Sequence, residues 1–223
     1  MKKFLSNILC IGLILSLSAS AFAAENSLPS KRIVVDGVDI TIDIEEEIYR
    51  AKMGITDIDM PGVLSVLNDC NDVQLYTTTR KLGNMKSGNE QIYATTSVAI
   101  MPLANEKSNT DSVNDYYVTA YGTLYWRDNF GPQNDFLGAS GGWDCDVNPK
   151  TNKKPSLSGR EVRLEASTSS RDGVSKTFRY SSNTFEIDES DFDYTRLFFA
   201  MYTNVTIDST NELQLLISPS PLD

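Results

Sequence analysis

Tyr116-Tyr117-Val118-Thr119-Ala120-Tyr121-Gly122-Thr123-Leu124-Tyr125-Trp126 alternates at period two. Tyr117, Thr119, Tyr121, Thr123 and Tyr125 fall on one side; Val118, Ala120, Gly122, Leu124 and Trp126 fall on the other. A helix would scatter those hydroxyls around its axis, whereas a strand collects them on one face. The neighbouring segments follow the same rule. Val73, Leu75, Thr77 and Thr79 alternate with Gln74, Tyr76, Thr78 and Arg80, and Ile92, Ala94, Val98 and Ile100 alternate with Tyr93, Thr95 and Ser97. Further strands are expected over 159–167, 174–180, 195–207 and 213–217, with an Arg171-Asp172-Gly173 turn between the first two.

Ahead of these lie two β-branched runs, 32–35 and 38–44, separated by Asp36-Gly37. Asp-Gly between such runs signals a tight hairpin. Residues 44–53 have helix-forming composition with Gly54 placed to end them, and a second short helix is expected over 61–68 behind Asp59 and Pro61. Residues 128–154 contain Gly131, Pro132, Gly138, Gly141, Gly142 and Pro149 and read as a long loop. The fold expected is mainly β: an antiparallel β-sandwich, with a β-barrel as the alternative and one or two short helices near the mature N-terminus.

The first residues carry Lys2 and Lys3, an apolar run over 8–17, and Ala21-Phe22-Ala23. That order is the pattern of a secretory signal peptide, cleaved after Ala23. The apolar run is shorter than the roughly 20 residues a membrane span needs. The expectation is therefore residues 1–23 as signal, one secreted domain over 24–223, and no membrane insertion after cleavage. Loss of the two lysines takes the net charge of −10 still lower. Such acidity argues against nucleic acid and anionic lipid surfaces as partners. Export to an oxidising compartment permits a disulfide, and the two cysteines beyond the signal, Cys70 and Cys145, are its expected partners.

Three constellations bear on function. The hydroxyl-bearing residues Tyr76, Thr78, Tyr93, Thr95, Tyr117, Thr119, Tyr121, Thr123 and Tyr125 would form one sheet face if their strands are neighbours. Tyrosine couples a flat apolar ring to a hydroxyl, a combination that suits sugar rings or an extended peptide. Trp126 and Trp143 adjoin the expected loop, so Tyr117, Tyr121, Tyr125, Trp126 and Trp143 are the candidate ligand-binding residues. Acidic clusters at Asp57-Ile58-Asp59, Asp144-Cys145-Asp146-Val147-Asn148 and 188–193 offer at most weak calcium sites. The second begins like an EF-hand loop but has Pro149 and Pro155 where glycine and glutamate belong.

Catalysis has little to draw on. The chain has no histidine, which removes Ser-His and Cys-His nucleophile pairs and histidine-ligated zinc. No G-x-S-x-G or phosphate-cradling glycine loop is present. A pair of carboxylates suitable for glycoside hydrolysis is almost inevitable among 30 acidic residues and so identifies nothing. The expected function is a non-catalytic binding module for carbohydrate or a surface polymer, without a cofactor. The alternative is a structural component of the envelope or matrix that interacts with an extracellular protein.

Overall fold

A computed structural model describes residues 30–35, 38–57, 73–84, 90–103, 116–128, 134–149, 151–167, 173–192, 195–196 and 198–218. Most of them are strand, all paired antiparallel. The expected signal segment, the Asp36-Gly37 turn, the helix over 61–68 and Cys70 lie outside the described residues.

The chain opens with the hairpin β1 (Lys31–Val35) and β2 (Val38–Ile42), paired from Lys31↔Ile42 to Val35↔Val38. Helix α1 (Ile44–Met53) follows at once. Asp43 caps it, its carboxylate accepting from the backbone of Glu45 at 2.9 Å and Glu46 at 3.2 Å. Glu45, Glu46 and Glu47 sit at the positive end of the helix dipole, and Arg50 and Lys52 near its negative end. Gly54 ends the helix at φ 65°, where a side chain would be strained; its N–H donates to Ala51 O and that of Ile55 to Arg50 O.

The larger sheet is built from β3 (Gln74–Asn84), β4 (Gln91–Leu103), β5 (Tyr116–Asp128) and β6 (Asn134–Cys145), in that spatial order. The far side of β6 pairs with β9 (Thr184–Asp188) and with the two-residue β10 (Thr195–Arg196). The smaller sheet has four strands: β12 (Asn211–Ile217), β11 (Phe198–Ile207), β7 (Leu157–Ser167) and β8 (Gly173–Arg179). A short 3₁₀ turn, Glu189–Asp191, connects β9 onward. The two sheets remain separate and open-edged, so the barrel alternative is excluded.

The central strands β4, β5 and β6 are buried on both faces. One face meets the smaller sheet across an apolar core that includes Val118, Leu124, Trp143, Leu164, Met201 and Leu215. The other is covered by the hairpin and α1, where Ile33, Ile42, Ile44 and Ala51 meet Ala94, Val98, Tyr121 and Tyr125. This makes three layers, and burial of the two apolar cores is the dominant stabilising term.

One expectation is corrected here. The segment 128–154 is no long loop, because its middle is the core strand β6. Its glycines reflect close approach inside the sheet, since a methyl at Gly141 would overlap Tyr121 O and lie 2.6 Å from Phe185 Cζ. Cys145 is a buried free thiol at the end of β6, its Sγ 3.7 Å from Pro155 O and packed into the inter-sheet core, and its expected partner Cys70 lies outside the described residues.

Candidate functional site

The hydroxyl face divides once the register is known. Residues opposite each other in an antiparallel pair point to the same side. Tyr121 is opposite Val98 and Thr123 is opposite Thr96, whereas Tyr93 is opposite Trp126 and Thr95 is opposite Leu124. Tyr121, Thr123 and Tyr125 therefore lie under the hairpin and helix, while Tyr93 and Thr95 point towards the smaller sheet. Alternation within one strand cannot reveal which of its faces is continuous with which face of the next.

The five candidate residues meet different fates. Tyr125, Trp126 and Trp143 are core residues, with at most 3% of their surface exposed. Trp126 stacks on Tyr93 at 4.6 Å and donates to Thr95 Oγ1 at 3.1 Å. Trp143 packs against Phe185 at 5.4 Å. Tyr117 is exposed, and its N–H donates to Asp146 Oδ2. Tyr121 lines a cavity.

That cavity, about 290 Å³, lies where β1, the start of α1, β6 and β9 converge. Ser140 and Gly141 of β6 and Tyr121 of β5 contribute from the large sheet. Ser30, Lys31 and Ile44 contribute from the hairpin layer, and Tyr180, Ser182 and Thr184–Glu186 from the turn and edge strand beyond. The sequence builds this local shape in simple steps. Gly142 lacks the methyl that would stand 2.7 Å from Tyr121 Oη, so the phenol can cross β6. The N–H of Trp143 donates to Asn183 O at 2.8 Å, which ties the 181–183 bend to β6. The alternation of Phe185 and Ile187 with Thr184, Glu186 and Asp188 sends the apolar pair into the core and the polar trio to the cleft side.

The chemistry is aromatic, hydroxylic and charged together. Tyr180 and Phe185 have ring centroids 5.7 Å apart, and Tyr180 Oη donates to Glu186 O at 3.4 Å. Burial pushes the Tyr121 phenol up to about 12, with Asp144 adding to the shift. Tyr180 is likewise raised to about 12, first by burial and then by Asp191. Both are neutral hydroxyls at physiological pH, able to donate and accept. Ser140 Oγ bonds Tyr125 Oη at 2.7 Å beneath the cleft. Lys31 is inserted from β1, its side chain only 4% exposed, and its ammonium bonds both Glu186 and Asp188, the latter at 2.9 Å.

A polar row leads inward from the cleft. Glu186, Ser140, Thr123, Thr96 and Thr78 stand opposite one another across five strands. Thr96 and Thr123 share a hydrogen bond of 2.8 Å, and Thr78 Oγ1 donates to Ile55 O. These bonds satisfy buried hydroxyls that would otherwise each cost about 1–3 kcal/mol.

Sequence reasoning missed Lys31, Ser140, Tyr180 and Glu186. The signal for the last two was present: residues 184–188 alternate at period two, which marks an edge strand beside a Ser-Ser-Asn bend. Ser140 was hidden within the segment taken by its glycines for loop.

The acidic clusters have local duties. Asp144 Oδ1 accepts from Cys145 N, Asp146 Oδ2 from Tyr117 N, and Asn148 Oδ1 from Thr151 N. Asp57 pairs with Arg50 at 2.8 Å and accepts from Lys81 N. No three His, Cys, Asp or Glu side chains among the described residues converge on a metal position.

A second cavity of about 350 Å³ lies at the smaller sheet and is lined by Glu165, Ser175, Phe199 and Tyr202. The Arg163 guanidinium already covers the Tyr202 ring, 4.4 Å from its centroid. No protein-family model, curated protein or solved structure matches this chain.

Proposed function

We propose that the protein is an exported β-sandwich that binds a carbohydrate or a unit of a surface polymer, without catalysis. The ligand site is the cleft beside Tyr121, Tyr180 and Glu186. The observation that carries this reading is the joining of aromatic rings and hydroxyls around one small cavity: Tyr121, Tyr180, Phe185, Ser140, Ser182 and Thr184. Rings offer apolar area to the C–H face of a sugar, and hydroxyls exchange hydrogen bonds with its edge. Because each side chain is held by sheet register or by a bend pinned to β6, little entropy is lost on binding.

The test is binding of the purified protein to an array of glycans and cell-wall polymers, with and without calcium. Tyr180→Ala is the comparison, since it removes a half-buried ring that lines the cleft and packs against the inter-sheet core from its margin. Specific binding that falls about tenfold or more in the variant supports the reading. A blank array in both conditions, or equal binding by the variant, overturns it.

One observation favours the alternative, a structural component that docks on a protein. Tyr49 and Met53 stand one turn apart on α1, 56% and 60% exposed. Concentration-dependent association by light scattering, abolished by Tyr49→Ser with Met53→Ser, would support that reading over the cleft.

A further inference from the structure

We propose that the cleft selects a sugar unit bearing a free amine, with Glu186 as the carboxylate that receives the ammonium. This rests on the carbohydrate reading above and names the ligand class within it. The argument starts from charge. Among the described residues one cation, Lys31, faces two carboxylates, Glu186 and Asp188, so this ion cluster at the cleft carries one surplus negative charge. The whole chain adds a field of the same sign, with a net charge of −10.

Geometry assigns the surplus to Glu186. The Lys31 side chain is 4% exposed and cannot leave cheaply, whereas Glu186 and Asp188 are 62% and 67% exposed. Glu186 lines the cavity. When Glu186 turns to a ligand ammonium, Asp188 still bonds Lys31 at 2.9 Å. The buried lysine is then never left without a counter-charge, which would carry a heavy penalty. An anionic sugar would instead bring further negative charge to a cluster already in excess. A neutral sugar keeps the ring and hydroxyl contacts but forgoes the charge-assisted bond. The Tyr180 ring, whose hydroxyl donates to the Glu186 backbone carbonyl, adds a negative π face that favours a cation over an anion. A volume of about 290 Å³ is at the small end of ligand cavities, which suits one or two sugar units and not a long stretch of polymer.

The experiment is an NMR shift-perturbation titration of the purified protein at low ionic strength with D-glucosamine, D-glucose and D-glucuronate. It is repeated on Glu186→Gln and on Glu161→Gln, which removes the same charge from the smaller sheet. The expected result is glucosamine binding about tenfold tighter than glucose, with glucuronate weakest. Glu186→Gln should erase the preference for the amine, and Glu161→Gln should retain it. Equal response to the three sugars, or a preference that survives Glu186→Gln, overturns the amine proposal while the carbohydrate reading stands. Equal loss of preference in both variants also overturns it, by assigning the effect to net charge. Absence of any perturbation by all three sugars overturns the carbohydrate reading and the amine proposal together.

Discussion

Three glycine-to-alanine substitutions separate packing from backbone flexibility. At Gly122 a new methyl would meet Ile217 Cδ1 and Met201 Cε, each at 2.8 Å. Both are ends of flexible side chains in the inter-sheet core and can shift. Overpacking of this kind costs about 1–3 kcal/mol, offset by about 0.5–1 kcal/mol from the smaller conformational freedom of alanine in the unfolded chain. The net expectation for Gly122→Ala is a loss of at most about 2.5 kcal/mol. At Gly141 the methyl would overlap Tyr121 O and lie 2.8 Å from Gly122 Cα as well as 2.6 Å from Phe185 Cζ. The first two are backbone of β5, the strand paired with β6, so relief requires the central strands to part. That places Gly141→Ala above about 3 kcal/mol, among the large single-substitution effects. Gly173 on the edge strand β8 has nothing within 4 Å among the described residues, and its alanine variant should be neutral or more stable by about 0.5 kcal/mol. Urea unfolding followed by fluorescence measures all three, since Trp126 and Trp143 are buried reporters. If Gly141→Ala costs no more than Gly122→Ala, the argument that β6 is glycine-rich for close backbone approach is refuted.

Other outcomes follow from the buried polar groups. Tyr125→Phe removes the 2.7 Å bond to Ser140 and should cost about 1–2 kcal/mol, with Ser140→Ala similar and the double variant less than additive. Additive losses would show that the pair is not coupled. The Glu47 carboxyl is fully buried, and desolvation holds it above its ordinary value of 4.5 despite the pull of Arg80. The folded state therefore binds this proton more tightly than the unfolded state, and this contribution to stability falls as pH rises from about 4.5 through the raised value. Urea midpoints across that window should depend less on pH in Glu47→Gln; an unchanged slope would mean that Arg80 offsets the desolvation. Burial also pushes the Cys145 thiol up. Iodoacetamide at pH 8 should leave the Cys145 peptide unmodified in native protein and label it in urea, as read by mass spectrometry; native labelling would contradict the buried, inert thiol.

The period of the sequence by itself determined most of the strands, because alternation is a one-dimensional record of which residues leave water. Residues 116–126, 92–101 and 159–167 carry that record plainly, and β5, β4 and β7 cover them. The hairpin runs around Asp36-Gly37 and the helix over 44–53 were equally legible, since β propensity, helix-forming composition and a terminal glycine act locally. β6 was not legible. Its Gly138, Gly141 and Gly142 have no local reason to be in a strand; the reason is the nearness of Tyr121, Phe185 and Asn183, which only the folded sheet supplies. The same holds for the tyrosines. Sequence placed Tyr121 and Tyr125 on one side of β5, but burial of that side depends on α1 and the hairpin folding over it. The cleft is the furthest from the sequence, for it joins Lys31, Tyr121, Ser140 and Glu186 from four strands. Lys31 and Glu186 are 155 positions apart, and only the register of β9 on β6, with β1 laid across them, brings their charges into contact.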